Sequence, residues 1–188
     1  ADRLKTTKET ISIDNPEISV LFADIVNFTV MSEKLSAEKI VGFLDEMFSK
    51  FDDLTEKYGI EKIKTIGDAY MVVAGLTSEE KEHAAILFEF GKELIKIASS
   101  YSDHKGEPIT LRVGINSGPA VSGVIGKSKF SFDIWGDTIN TAARLESYGS
   151  PGRIHMSTKT FKLINKKIKH EKRNIEIKGK GFIESILI

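Results

Sequence analysis

The sequence predicts an α+β domain in which helices cover one face of a mainly antiparallel sheet. Short apolar runs bounded by turn residues predict strands, and longer stretches with apolar residues three and four apart predict amphipathic helices. The two patterns alternate along the chain in the order β-α-β-β-α-β. This order is typical of a split βαβ arrangement.

The first strand and the first long helix have the clearest patterns. A nearly continuous apolar run over residues 18–23 predicts a buried strand, and Asp24 follows at its end. Over residues 36–58, apolar side chains recur at helical spacing, and Gly59 follows as a C-cap. We therefore expect an amphipathic helix that ends at Gly59.

A hairpin and further elements follow this helix. Two β-rich runs, 60–66 and 70–74, flank Gly67 and Asp68, a pair typical of a tight turn. Asp68 is therefore predicted at the turn. The rest of the chain predicts a helix, two strands, a helix and a terminal strand at about residues 79–99, 109–116, 120–125, 137–147 and 182–188.

Composition limits the class of protein. The chain has 188 residues, 40% of them apolar, with 27 basic and 27 acidic side chains and no cysteine. One domain with a sizeable core is expected, nucleic acid is disfavoured as a partner, and disulfides are excluded. Residues 1–16 are polar, so we expect the end of a linker from an upstream regulatory region, with the domain over residues 17–188. No apolar run approaches the length that is needed to span a membrane, so we expect a cytoplasmic domain. A membrane anchor elsewhere in the parent protein is compatible with this expectation.

Two aspartates end predicted strands, in the motifs FADIVNFT and KTIGDAY. A central hairpin beside an emerging strand would bring the Asp24 and Asp68 carboxylates together. Paired carboxylates repel unless a divalent cation lies between them. For a lone aspartate, a turn or cap is the more frequent explanation, so the interpretation depends on the surrounding motifs.

A polar pair lies on the predicted helix at residues 137–147. Asn140 and Arg144 are four residues apart and share one helical face, and Asp133 precedes the helix. An asparagine and an arginine directed at one point suit a phosphate ester. An isolated pair of this kind is more often a solvated face, but the adjoining Trp135-Gly136 favours a site.

Five motifs occur in order along the chain: FADIVNFT, KTIGDAYMVVAGL, LRVGINSGPAVSGVIG, FDIWGDTINTAARLES and IKGKG. Together they resemble the catalytic domain of the class III nucleotidyl cyclases, the adenylyl and guanylyl cyclase family, from about Glu17 to Ile188. The resemblance implies a ferredoxin-like palm. It also implies a head-to-tail homodimer whose active sites lie between the subunits.

The resemblance assigns roles to residues in these motifs. Asp24 and Asp68, assisted by the Ile25 carbonyl, would bind two Mg²⁺ or Mn²⁺ ions for two-metal catalysis. Asn140 would orient the ribose, and Arg144 would stabilise the transition state at the α-phosphorus. The groups expected to bind phosphate are four backbone amides after Asp24 and two cationic side chains: Val26, Asn27, Phe28, Thr29, Lys178 and Arg153.

The choice of base follows from hydrogen bonding as well as from the resemblance. Asp133 can accept a hydrogen bond from the adenine amino group, and Lys64 can donate one to adenine N1. Guanine would invert both contacts, at roughly 1–3 kcal/mol for each unpaired partner. Guanylyl cyclases typically carry Glu and Cys at these two places, and this chain carries neither.

The sequence therefore predicts an adenylate cyclase that converts ATP to 3′,5′-cyclic AMP and pyrophosphate. The rival from another class is a catalytically silent cyclase-homology module that dimerises or relays a signal. Loss of Asp24, Asp68 or Arg144 would favour that rival, and all three are present. A diguanylate cyclase on a related palm is disfavoured because its Gly-Gly-Asp-Glu-Phe signature is absent.

Overall fold

The computed structural model describes residues 11–77, 81–126 and 130–188. Over these residues eight strands form one sheet, and five helices accompany it. In chain order the elements are β1 (Ile11–Ile25), α1 (Phe28–Ser32), α2 (Ala37–Tyr58), β2 (Glu61–Ile66), β3 (Ala69–Ala74), α3 (His83–Ala98), β4 (Leu111–Ile125), β5 (Ser131–Trp135), α4 (Asp137–Ser147), β6 (Ile154–Ser157), α5 (Thr158–Ile164), β7 (Glu171–Ile177) and β8 (Gly181–Leu187).

The sheet is mainly antiparallel, as predicted. Its strand order is β2-β3-β1-β4-β6-β8-β7, and β5 pairs with β4 beside this path. Among the described strand pairs, only β4 and β6 run parallel. The α+β class and the mixed arrangement of helices and strands are therefore confirmed.

The helices lie on both faces of the sheet, whereas the sequence predicts one helical face. Leu21 of β1 belongs to a core that includes residues of α2 and α3, and Val20 belongs to a second core that includes Ala142 of α4. Successive strand residues point to opposite faces, so both faces of β1 are covered. The continuous apolar run in β1 reflects this double burial.

Helix α2 has the ends that the sequence predicts. The Ser36 side chain accepts a hydrogen bond from the Lys39 amide at the N-terminus, and Gly59 ends the helix with a φ of 64°. Met47 and Phe51 lie in the main core. Capping stabilises both ends of α2. Burial of one face holds the helix against the sheet.

Two predicted boundaries differ from the structure. Strand β1 begins at Ile11, ahead of the predicted boundary at Glu17, and a register shift between Asn15 and Ile18 accommodates Pro16. The two strands expected at 109–116 and 120–125 form the single strand β4. Residues 1–10, most of the predicted linker, and residues 79–80, the predicted start of α3, lie outside the described residues.

No described helix combines the length and hydropathy that are needed to cross a bilayer.

Helix α4 lies unusually close to β4 at Gly114. A Cβ atom added to Gly114 would lie 2.2 Å from the backbone nitrogen of Glu146 and 2.6 Å from the carbonyl oxygen of Ala142. These contacts are with backbone atoms, so a side-chain rotation cannot relieve them. Only glycine permits this approach, which fixes the position of α4 on the sheet.

We expect Gly114→Ala to displace α4 and to destabilise the domain by about 3 kcal/mol, because overpacking against backbone forces the helix away from the sheet. Denaturant unfolding measures this loss. The matched control is Gly42→Ala in α2, where an added Cβ meets nothing within 4 Å. The control should gain about 0.5–1 kcal/mol, since alanine is the better helix former. Equal stability of the two variants would contradict the close approach.

Candidate active site

Asp24 and Asp68 lie together at one end of the sheet. Asp24 is the penultimate residue of β1, and Asp68 lies in the turn between β2 and β3, where Gly67 has a φ of 62°. Strands β1 and β3 pair with Ala23 opposite Tyr70, so the end of β1 lies beside this turn. The pairing of these two strands brings the carboxylates together.

The two carboxylates affect each other's ionisation. Burial, a side-chain hydrogen bond with Asp24 and repulsion from the Asp24 charge raise the pKa of Asp68 to about 6. Backbone hydrogen bonds at Asp68 and Ile25 act in the opposite direction. A divalent cation between the carboxylates would remove the repulsion.

The Asp24 and Asp68 carboxylates suit Mg²⁺ or Mn²⁺ ions whose remaining ligands come from a substrate. Within the described residues, no three His, Asp or Glu side chains lie close enough to hold a metal unaided. Two carboxylates completed by phosphate oxygens are the usual setting of Mg²⁺ at nucleotide sites. Asp24 and Asp68 therefore fit metals that bind together with a nucleotide.

Arg112 and Glu146 extend the carboxylate pair into the protein. Arg112 of β4 donates from Nη2 to Oδ2 of Asp24 at 2.8 Å and from Nε to Oε1 of Glu146 at 2.9 Å. Burial raises the pKa of Glu146, although the hydrogen bond from Arg112 lowers it. The sequence motifs do not indicate a role for either residue. The available signal was an arginine within the otherwise apolar start of β4.

The loop after Asp24 only partly matches the expected phosphate cradle. The Val26 amide donates to the carbonyl of Thr110 at 2.9 Å, so it is not free to bind phosphate, whereas the resemblance implies that it binds phosphate. Asn27 has a φ of 59° and precedes α1, which begins at Phe28. The amides of Phe28 and Thr29 lie in the first turn of α1, where backbone N–H groups lack partners within the helix.

Lys64 and Asp133 form an ion pair within one chain. Lys64 lies on β2 and Asp133 on β5, and Nζ of Lys64 is 2.5 Å from Oδ2 of Asp133. The other carboxylate oxygen of Asp133 accepts from the Ile134 amide at 2.9 Å. The Asp133 side chain is only 16% exposed and the Lys64 side chain 42%. A donor and an acceptor therefore lie side by side.

Helix α4 presents different groups on its two sides. Asn140 and Arg144 are exposed, whereas Glu146 is buried against Arg112. Within the described residues, neither Asn140 nor Arg144 has a side-chain hydrogen bond or ion pair. At helical spacing, Asn140 and Arg144 lie on the side of α4 opposite Glu146. This exposed side of α4 is available to a ligand or a second subunit.

The two remaining predicted cations have different surroundings. Lys178 is exposed in the turn between β7 and β8, and in the same turn Lys180 contacts Asp137 and donates to Oγ1 of Thr141 at 2.9 Å. Arg153 donates to Oε1 of Glu171 at 2.7 Å and to the Leu187 carbonyl at 3.3 Å. Lys180 thus contacts α4 directly, and Arg153, which precedes β6, contacts both β7 and β8.

Residues 12–188 match the family described as adenylate and guanylate cyclase catalytic domain. The chain belongs to this family and is a class III nucleotidyl cyclase domain. It is 40% identical over 187 residues to an adenylate cyclase of Mycobacterium tuberculosis, covering 98% of this chain and 42% of that protein. It is also 38% identical over 184 residues to the guanylate cyclase soluble subunit beta-2 of Rattus norvegicus, covering 96% of this chain and 27% of that protein.

The fold is also similar to that of a solved cyclase structure. The catalytic core of a rhodopsin-guanylyl cyclase with converted specificity, in complex with ATPalphaS, has a TM-score of 0.87 and 34% identity, covering 96% of this chain and 98% of that chain. The chain spans less than half of the length of the two curated relatives.

We expect Asp68→Asn to stabilise the metal-free domain at about pH 7.5. The folded pKa of about 6 lies above the ordinary value of 3.8, so ionisation of Asp68 destabilises the fold progressively as pH rises through this range. The melting temperature of the variant should exceed that of the wild type by a few degrees near pH 7.5 and should equal it near pH 4.

The control is Asp45→Asn, which changes an exposed carboxylate on α2. It should leave the melting temperature unchanged at both pH values. A lower melting temperature for Asp68→Asn near pH 7.5 would show that the two carboxylates do not repel in the folded domain.

Proposed function

We propose that this chain is an adenylate cyclase domain that converts ATP to 3′,5′-cyclic AMP and pyrophosphate. The observation that carries the choice of ATP is the ion pair between Lys64 and Asp133. Adenine presents an amino donor at N6 beside an acceptor at N1. Asp133 supplies the acceptor and Lys64 the donor that this edge requires.

Guanine fits the same pair poorly. It presents an acceptor at O6 and a donor at N1, so O6 would face the Asp133 carboxylate and N1–H would face the Lys64 ammonium. Both protein groups would lose their solvent and gain no partner, which costs roughly 1–3 kcal/mol each. Asp133 is mostly buried and cannot turn to water.

The metal-binding half of the site is built from β1 and the turn after β2. Asp24 and Asp68, with the Ile25 carbonyl, would hold two Mg²⁺ or Mn²⁺ ions. When bound, these ions supply an acidified ribose 3′-hydroxyl and offset charge on the α-phosphate and the departing pyrophosphate. The Phe28 and Thr29 amides would donate to phosphate oxygens beside them.

The catalytic residues outside the metal-binding half lie on α4. Asn140 would hold the ribose so that its 3′-hydroxyl points at the α-phosphorus, and Arg144 would donate to the α-phosphate oxygens as negative charge builds up in the transition state. Lys178 would bind the phosphate chain. The pairing of Arg153 with Glu171 gives it a structural contact that a phosphate would have to replace.

A head-to-tail homodimer would bring the two halves together. At helical spacing, Asn140 and Arg144 lie on the side of α4 opposite Glu146, which contacts Arg112 beside Asp24. This arrangement supports a site in which a second chain supplies one half. The β4–β5 hairpin offers a contact surface, because Val121, Ile125 and Trp135 lie on one face of it and are 39%, 51% and 41% exposed. Asp133 lies on the same face.

The parent protein is proposed to carry an upstream regulatory or sensor region. Since the chain spans less than half of the length of its curated relatives, further segments in those proteins accompany the matched domain. We further propose that this domain works in the cytoplasm, where its substrate ATP is available.

We expect the double variant Lys64→Glu with Asp133→Cys to shift preference from ATP toward GTP. Glu accepts from guanine N1–H, and removal of the Asp133 charge relieves the conflict with O6. The ATP-to-GTP ratio of kcat/KM should fall at least about ten-fold relative to wild type, since each removed mismatch is of order 1 kcal/mol. Total activity should also fall.

The control is Lys62→Glu, which reverses a charge on the same strand at a lysine paired with Asp52. Its ATP-to-GTP ratio should match that of the wild type. An unchanged ratio in the double variant would mean that Lys64 and Asp133 do not contact the base. Turnover of neither nucleotide by the wild-type dimer would favour the silent module.

We expect two nearly inactive variants, Asp24→Asn and Arg144→Ala, to regain activity when they are mixed. Each lesion disables both sites of its own homodimer, but a mixed dimer collects both lesions in one site and leaves the other intact. With free exchange, half of the dimers are mixed and each has one working site, so about a quarter of wild-type activity should return. Co-refolding followed by a cyclic AMP assay measures it.

If mixed dimers form and no activity returns, all catalytic groups act within one chain and the shared-site mechanism is wrong. The control mixture is Asp24→Asn with Asp68→Asn. Both lesions then lie in the same half, every site retains one of them, and no activity should return.

A further inference from the structure

Three charged side chains form a continuous row from the sheet into α4. Arg112 lies at the centre and donates to Asp24 on one side and to Glu146 on the other. We propose that Glu146 is a positioning residue that acts through Arg112 and sets how tightly Asp24 binds a divalent cation. This inference rests on the metal-binding role of Asp24 in the proposed function.

The geometry makes Glu146 the anchor of the row. Its side chain is 11% exposed, compared with 31% for Arg112 and 20% for Asp24. Its backbone lies against Gly114 of β4, so the residue cannot move without displacing α4. Glu146 is therefore the fixed end, and Arg112 is the side chain that it orients.

The guanidinium group transmits this orientation. Its donors form a rigid planar fork, so a fixed Nε–H direction also fixes the directions of the Nη groups. Glu146 holds Nε at 2.9 Å, which leaves Nη2 at 2.8 Å from Asp24. The contact between Arg112 and Asp24 thus depends on the contact between Arg112 and Glu146.

The charges give the expected direction of the effect. One cation is shared by two carboxylates, so Asp24 retains part of its negative charge for a metal. If Glu146 loses its charge, the full positive charge of Arg112 acts on Asp24. Arg112 then competes more strongly with the metal for the same oxygens, and the potential at the site becomes less negative.

The test is Mn²⁺ binding to the 188-residue chain in the presence of 3′-deoxy-ATP, which lacks the reacting hydroxyl. Electron paramagnetic resonance of free Mn²⁺ gives the dissociation constant without turnover. Glu146→Gln should raise this constant about ten-fold, the effect typical of an outer partner of a metal ligand. Glu146→Asp retains the charge on a shorter side chain and should give an intermediate value.

A double-mutant cycle shows whether Glu146 acts through Arg112. In an Arg112→Gln background the competitor is absent, so Glu146→Gln should change the dissociation constant by less than about two-fold. An equal change in both backgrounds would overturn the proposal, because Glu146 would then act as a distant charge. An unchanged constant in the single variant Glu146→Gln would also overturn it.

Two controls separate this inference from its premises. Glu89→Gln removes a surface carboxylate that pairs with Lys92 and Lys166, and it should leave Mn²⁺ binding unchanged.

The second control tests the premise, because Asp24→Asn should abolish the tight Mn²⁺ site. If Asp24→Asn abolishes Mn²⁺ binding and Glu146→Gln has no effect, the metal-binding role of Asp24 stands and the positioning role of Glu146 is wrong. If Asp24→Asn leaves Mn²⁺ binding unchanged, both roles are wrong. Thermal unfolding confirms that each variant is folded, and Glu146→Asp replaces Glu146→Gln if the latter unfolds.

Discussion

Repulsion between the Asp24 and Asp68 carboxylates is the interaction on which the rest of the site depends. Antiparallel pairing of β1 with β3 holds both side chains at one end of the sheet, so neither can move away without breaking the strand register. Among the described ion pairs, Arg112 is the one cation that contacts either carboxylate, and it contacts Asp24. In the proposed function, the resulting excess of negative charge would favour a divalent cation that binds together with a nucleotide.

Helix α4 connects the carboxylate pair to the other predicted site residues. Its buried side holds Arg112 through Glu146, and its exposed side carries Asn140 and Arg144. The backbone contact at Gly114 fixes the helix, so both sides are set by one packing interaction. In the proposed dimer the two sides of α4 serve different active sites, and the position of one helix therefore influences both.

The sequence predicts what local patterns encode. Strand-end positions identify Asp24 and Asp68, because the end of an apolar run marks the edge of a sheet whatever its neighbours are. The contact of Arg112 with Glu146 could not be predicted, since it depends on how α4 crosses β4, and this crossing is set by tertiary packing at a single glycine. The continuity of β4 through Pro119 was missed for a related reason. Ser-Gly-Pro is typical of a turn, and pairing with the full length of β1 overrides that local preference.

In the proposed function, base recognition and metal binding belong to separate side chains, and this relates substrate preference to sequence similarity. Lys64 and Asp133 lie on β2 and β5, and neither is in ion-pair contact with Asp24 or Arg112. On this proposal, preference for adenine or guanine would change at two side chains, while the strand register and the helix packing that determine most of the sequence stay constant. Overall sequence identity would then be determined mainly by the residues that maintain the fold and the proposed metal-binding half. The proposed division of roles would account for the nearly equal similarity of the chain to adenylate and guanylate cyclases. We therefore base the proposed substrate on the chemistry of the Lys64–Asp133 pair and not on the percentage of identity.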